Sequence, residues 1–153
     1  MDKTSFVIDK PNLEVRTSRV FAATPERLWQ ACTDSVQIPK WWGYSTQIET
    51  DEQRVGGKWR YVQRGEDGEF GFRGEYQVVD KPSRIVRTFE YEPIPGHGLV
   101  ETMVLEPLED GATRFTDTAK YANLEDLEGM VGMGMEHGQR DGMERLAALV
   151  ETA

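Results

Sequence analysis

The sequence predicts an α+β domain in which an antiparallel sheet carries a long C-terminal helix. Three observations lead there. Between residues 57 and 121, five consecutive segments alternate apolar and polar residues with a period of two. Most of the joints between them are short turns, which makes successive strands antiparallel, because a parallel crossover needs a dozen residues or more. The segment NLEDLEGMVGMGMEHGQRDGMERLAALVETA then changes to helical spacing.

Residues 1–12 read as a loose N-terminal arm ending at Pro11-Asn12, and 13–153 as a single domain. LEVRTSRVF (13–21) alternates and forms the first strand. In ATPERLWQACTD, Thr24 is suited to cap a helix N-terminus and Pro25 to occupy its first turn. Leu28, Trp29 and Ala31-Cys32 supply its apolar side. SVQIPKWW reads as a second short helical segment that stops at Gly43. STQIETD, GKWRYVQRG, EFGFRGEYQVVD, SRIVRTFEYE, LVETMVLEPL and ATRFTDTAKY follow as strands, about seven in all with the first. Gly56-Gly57, Gly65-Glu66-Asp67-Gly68, Asp80-Lys81-Pro82-Ser83 and Glu109-Asp110-Gly111 are the turns, and EPIPGHG (92–98) is a longer loop.

Gly134, Gly138 and Gly142 recur every fourth residue and would share one face of the last helix. Each costs about 1 kcal/mol relative to alanine in a helix interior, so the set asks for a reason. One is close approach of helix to sheet. The other is room beneath the helix for a bound molecule. Met130, Met133, Met135 and Met143 concentrate in the same stretch, and methionine adapts to irregular gaps as readily in a core as in a binding wall.

The chain has 153 residues, 38% hydrophobic and 29% charged, the balance of one globular domain. A formal net charge of −9 and the absence of any Lys/Arg cluster argue against a nucleic-acid partner or an anionic membrane surface. No apolar run approaches a membrane span, and the first residues lack a signal-peptide core. The single cysteine, Cys32, forms no internal disulfide and fits a reducing, cytoplasmic setting. No metal-ligand spacing, nucleophile elbow, phosphate loop or dinucleotide fingerprint occurs, and no cofactor or metal is expected. His137 is the one candidate general acid or base, with Arg73, Glu75 and Asp117 as polar partners, against the blander reading of a surface histidine between Glu136 and Arg140.

In order and spacing, LEVRTSRVF, ATPERLWQACTD, PKWWG, VGGKWRY, GEFGFRGEYQVVDKPSRIVRTFEY and GMEHGQRDGMERLAALV resemble the START-like (SRPBCC) superfamily. Within it they are most similar to the branch named after the activator of Hsp90 ATPase (AHSA1-like). The resemblance covers Leu13 to Val150. It implies a helix-grip (START/Bet v 1-like) fold: a curved sheet around the C-terminal helix, two short helices near the N-terminus, and a hydrophobic cavity between sheet and helix. It suggests that Trp42 packs inward at the end of that cavity while Trp41 caps the outer edge of its helix, though a structural role for both is open.

Strand parity then nominates inward-facing residues: Phe70, Phe72, Gly74, Tyr76 and Val78 on one strand, Trp59 and Tyr61 on the one before, Phe89 and Tyr91 on the one after. Met103, Leu105 and Phe115 join them. The candidate ligand site is therefore Trp42, Trp59, Tyr61, Phe72, Tyr76, Phe89, Tyr91, Met103, Phe115, Met135, Gly138 and Met143. The expected function is binding of a small hydrophobic or amphipathic molecule. The resemblance keeps two alternatives open: a chaperone-interacting, ATPase-activator-like protein, and a small enzyme of cyclase or dehydratase type. A homodimer is compatible with all three.

Overall fold

The computed structural model describes residues 3–43 and 45–151. Residues 1, 2, 152 and 153, which belong to the predicted arm and domain, lie outside them. The chain begins with β1 (Ser5–Asp9), which pairs with β2 (Glu14–Phe21) across a one-turn 3-10 helix. Ser5–Asp9, within the arm expected over 1–12, thus form an edge strand. Its mostly exposed side chains gave no alternating signal; backbone pairing, Phe6 packed on the smaller core cluster and the Arg16–Asp9 ion pair tie it to the sheet.

α1 (Pro25–Thr33) starts as expected, with the Thr24 hydroxyl accepting from the Arg27 N–H at 3.2 Å, and buries Leu28, Trp29 and Ala31. α2 (Ile38–Trp42) ends at Gly43, whose φ of 133° lies in the region that favours glycine. The Trp41 indole N–H donates to the Ala31 carbonyl at 2.9 Å and so joins the two short helices.

Six more strands follow: β3 (Thr46–Asp51), β4 (Lys58–Gly65), β5 (Gly68–Asp80), β6 (Arg84–Tyr91), β7 (Leu99–Pro107) and β8 (Thr113–Lys120). They form one antiparallel sheet in the order β1-β2-β8-β7-β6-β5-β4-β3. The chain runs outward from β8 to β3 as a meander read backwards, and β2 closes on β8 at the other side. The sheet has eight strands rather than about seven, the extra one being β1.

Alternation sends most apolar residues to the concave face and several charged pairs to the convex one. Arg60 bonds Glu92 through two nitrogens at 2.7 and 2.8 Å, Arg73 reaches Glu90 at 2.8 Å, and Lys58 reaches Glu75 at 3.1 Å. A register shift between Tyr76 and Val78 interrupts the parity of β5. Beyond it Val79, not the expected Val78, packs against the core. Gly74 also does something other than face a cavity. A Cβ there would come within 1.8 Å of the Thr88 carbonyl oxygen and 2.6 Å of the Trp59 indole nitrogen, so the strand crosses at a distance only glycine allows.

The C-terminal segment is two helices, α3 (Leu124–Val131) and α4 (Met135–Val150). Asn123 caps α3 by accepting from the Asp126 N–H at 2.8 Å. Gly134, with φ of 88°, turns the chain between them and caps α4. The single helical face predicted for Gly134, Gly138 and Gly142 therefore holds only for the last two. The main core joins α1, α2 and the second half of α4 to the sheet through Phe21, Leu28, Ile38, Leu105, Phe115, Leu146 and Val150. A smaller cluster of Val15, Leu99, Ala119, Tyr121 and Leu127 seats α3. Among the described residues, no helix is long and apolar enough to cross a membrane.

Candidate functional site: a cavity under the C-terminal helix

Between the concave face of the sheet and the first half of α4 lies a cavity of about 480 Å³, inside the roughly 300–1,000 Å³ range of small-molecule sites. Its aromatic end is built by the paired tryptophans. The Trp42 ring meets Tyr61 edge-on at 5.1 Å and Phe72 edge-on at 5.5 Å, and Phe72 stacks on Tyr91 at 5.1 Å. The adjacent Trp41, 6.4 Å from Trp42, also lines the cavity, while its N–H is held by α1. The pair therefore serves two surfaces at once: Trp42 rests on the sheet and Trp41 bridges helices.

Of the twelve nominated residues, Trp42, Tyr61, Phe72, Tyr76, Phe89, Tyr91, Met103, Phe115, Met135, Gly138 and Met143 line this space. Trp59 does not. It is buried behind the lining, with its indole N–H on the Thr88 carbonyl at 3.1 Å and the Arg87 guanidinium 4.0 Å above its ring. Gly134, Met130 and Met133 join the wall where α3 turns into α4. At Gly138 a Cβ would meet nothing within 4 Å, and at Gly142 only the Trp41 carbonyl oxygen at 3.8 Å. Close approach of helix to sheet is thus not the reason for these two glycines; Gly138 is exposed and lies on the cavity lining.

His137 lies elsewhere. Its side chain is 85% exposed and pairs with Asp141 at 3.1 Å on the same helix. Arg73 and Glu75, nominated as its partners, sit in the convex-face ion pairs. Asp117 alone of the three faces the cavity.

Asp117 belongs to a polar row that the sequence reading overlooked. Arg87 on β6 stands opposite Tyr76 on β5 and Glu101 on β7, and Asp117 on β8 is one diagonal step further, opposite Thr17 of β2. The Arg87 Nε donates to Glu101 at 2.6 Å and one of its Nη to the Tyr61 hydroxyl at 3.2 Å. The Tyr61 hydroxyl reaches Asp51 at 3.3 Å, and Tyr76 donates to the same carboxylate. Burial pushes Tyr61 up to about 12, so its hydroxyl stays a donor at neutral pH.

Glu101 and Asp117 are diagonal neighbours on β7 and β8, and each bears on the other's titration. Burial raises Asp117 well above the usual carboxylate range, reinforced by the charge of Glu101. Burial works the same way on Glu101, but Arg87 beside it and its neighbour Asp117 outweigh that and hold it below the ordinary value. The proton accordingly resides on Asp117 and the negative charge on Glu101. Asp117 Oδ1 is enclosed and meets no N–H or hydroxyl donor. Cys32, also in the lining, is a half-buried thiol whose pKa the apolar surroundings push far up, hence not a nucleophile at neutral pH. Parity could have found this row: Arg87 is two residues before Phe89, Glu101 two before Met103, and Asp117 two after Phe115.

Solved structures with the same architecture include a Mycobacterium smegmatis protein, 26% identical, covering 98% of both chains with a TM-score of 0.88. An Arthrobacter aurescens protein is 28% identical over 95% of this chain and 90% of its own, with a TM-score of 0.85. A Plasmodium falciparum protein described as an HSP90 activator is 21% identical over 71% of this chain and 72% of its own, with a TM-score of 0.59. No curated protein matches the chain. The family model described as activator of Hsp90 ATPase homolog 1-like protein matches residues 22–151, from the end of β2 through α4, and the chain belongs to that family, with its START-like fold.

Proposed function

We propose that the protein binds a small apolar or amphipathic molecule between the sheet and the C-terminal helix. The observation that carries this reading is a cavity of about 480 Å³ faced by aromatic and methionine side chains, with the exposed Gly138 on its helix side. The setting in this reading is cytoplasmic, in keeping with the lone, half-buried Cys32.

The test is native mass spectrometry of the purified protein, followed by denaturing extraction of whatever it carries. A stoichiometric apolar compound is the expected result. A protein that emerges empty, and whose tryptophan fluorescence then ignores every apolar probe added to it, would falsify the reading. Trp41 and Trp42 are suitable reporters because both line the cavity.

The family description favours a second reading, activation of a chaperone ATPase. Likeness to the Plasmodium protein at 21% identity carries architecture alone. Addition of the purified protein to an Hsp90-type ATPase separates the two readings: the binding-module reading expects no change in turnover.

A further inference from the structure

The cavity's lining carries two guanidiniums and two carboxyls, and they do not pair off. Arg87 is bonded to Glu101 at 2.6 Å, with Asp117 as that carboxyl's diagonal neighbour on the sheet. Arg145 stands on the helix side, on α4, and no carboxylate among the described residues pairs with it. The charges that bear on Glu101 and Asp117 are each other's and that of Arg87, so Arg145 belongs to a different part of the space. In a chain with 27 acidic against 18 basic side chains, an arginine without a carboxylate is unexpected. The acids nearest it along α4 are engaged by others: Glu136 by Arg140, Asp141 by His137 and Glu144 by Arg19.

What Arg145 does hold is the Trp41 carbonyl, to which its Nε donates at 3.0 Å. A Cβ on Gly142, one turn earlier, would come 3.8 Å from the same oxygen, so the glycine keeps that approach clear. The bond fixes the guanidinium at the seam of α2 and α4 and uses its Nε–H alone. The N–H groups on its two Nη atoms have no acceptor among the described residues, and neither Nη is shut in. Because Arg145 lines the cavity, a molecule there can reach them. Trp42, next along from Trp41, leads from this point to Tyr61 and Phe72 at the aromatic end.

We propose that the cavity takes an apolar molecule with a terminal carboxylate, whose oxygens accept from the Arg145 Nη atoms while its chain lies among the aromatic and methionine side chains. This deepens the binding reading above and rests on it. A planar guanidinium with its Nε already anchored is oriented in advance, so little freedom is lost when the carboxylate arrives. Paired bonds from a guanidinium to a carboxylate are stronger than bonds between neutral groups, which favours an acid over an alcohol. An ammonium head would meet an unpaired cation at the same place and is disfavoured. The carboxyls on the sheet fix the direction of binding: an acid reversed in the cavity would bring its charge against Glu101, whose cation is already engaged.

The experiment titrates the protein with octanoate, octanol and octylamine, which share a chain and differ in the head group, and follows tryptophan fluorescence. Octanoate is expected to bind about tenfold or more tighter than octanol near neutral pH, with octylamine weakest, and its advantage is expected to shrink as salt is added. Arg145→Gln is expected to bring octanoate down to octanol's affinity while leaving octanol's own unchanged. A loss shared equally by octanoate and octanol would show that Arg145 only braces α4 against α2, and would overturn the assignment. So would a preference for octanoate that survives Arg145→Gln, or tightest binding of octanol or octylamine; in each of these cases the cavity remains a ligand site. If none of the three binds, and a neutral fluorescent dye is also excluded, the assignment falls together with the binding reading.

Discussion

The two halves of α4 lie over the same sheet but are held in opposite ways. From Gly142 to Val150, five residues are buried, and Met143, Leu146, Ala147 and Val150 close on the core shared with α1 and α2. Arg19, itself buried, reaches Glu144 at 2.7 Å, and Arg27 reaches the Leu149 carbonyl at 3.1 Å. From Met135 to Asp141 no residue is buried, and the cavity lies beneath. The difference teaches how a small domain keeps a hollow: one half of the helix supplies the adhesion, and the other half roofs a space it does not fill. Helices of this length draw most of their stability from tertiary packing rather than propensity, so the anchored half must hold the whole element in place.

The sharpest way to break this division is to hollow the solid half. Leu146→Ala removes a side chain with no exposed surface from the centre of the core. Denaturant unfolding is expected to show a loss of about 2–5 kcal/mol, the range for leucine truncations in cores that cannot collapse. A loss below about 1 kcal/mol would mean that both halves are loosely packed and the contrast is false.

The polar row under the roof predicts an effect of the other sign. Asp117 is protonated in the fold at pH values where it ionises in the unfolded chain, because its folded value is raised. Its contribution to stability is therefore fully present below the ordinary carboxylate value of about 4 and is lost as pH climbs through the folded value. Glu101, lowered by Arg87, runs the opposite way: its contribution is present above its unfolded value and is lost as pH falls through the folded one. Asp117→Asn removes the first dependence, keeps a donor toward Glu101, and leaves the second. Thermal unfolding across pH is expected to show the variant gaining about 1–2 kcal/mol at neutral pH, the range of common stabilising substitutions, and nothing below about pH 4. A variant that is less stable at neutral pH would show that the proton on Asp117 does not burden the fold.

Much of the architecture was legible because it follows from period and turn chemistry. Thr24 and Pro25 announced α1, and the alternation from Trp59 to Phe115 announced the strands and their concave faces. Three features were not legible, for physical reasons. The register shift after Tyr76 leaves the residue pattern plausible on either side, so Val78 and Val79 exchanged roles. Gly134 shares its spacing with Gly138 and Gly142, and only the backbone shows that it turns the chain instead of continuing a helix. Arg87, Glu101 and Asp117 have the parity of the lining but not its composition. Charged residues are ordinarily outside, and what brings these three inside is their pairing with one another across neighbouring strands, which no single segment displays. His137 was nominated by residue type alone, and type says nothing about which side of a helix faces water.

The smallest expected effect tests the roof itself. Gly138 is helical, and a Cβ there meets nothing within 4 Å. Gly138→Ala should therefore stabilise the protein by about 1 kcal/mol through helix propensity alone, with no packing term to offset it. Gly138→Leu carries the test from stability to function. Its longer side chain enters the space the glycine leaves open, so the variant should unfold no more easily than the parent yet lose the cavity's ligand. A glycine retained for close packing predicts the reverse, with both substitutions destabilising and the leucine more so. Paired melting curves and ligand titrations on the two variants decide between a roof kept bare for an occupant and a helix that happens to carry a weak residue.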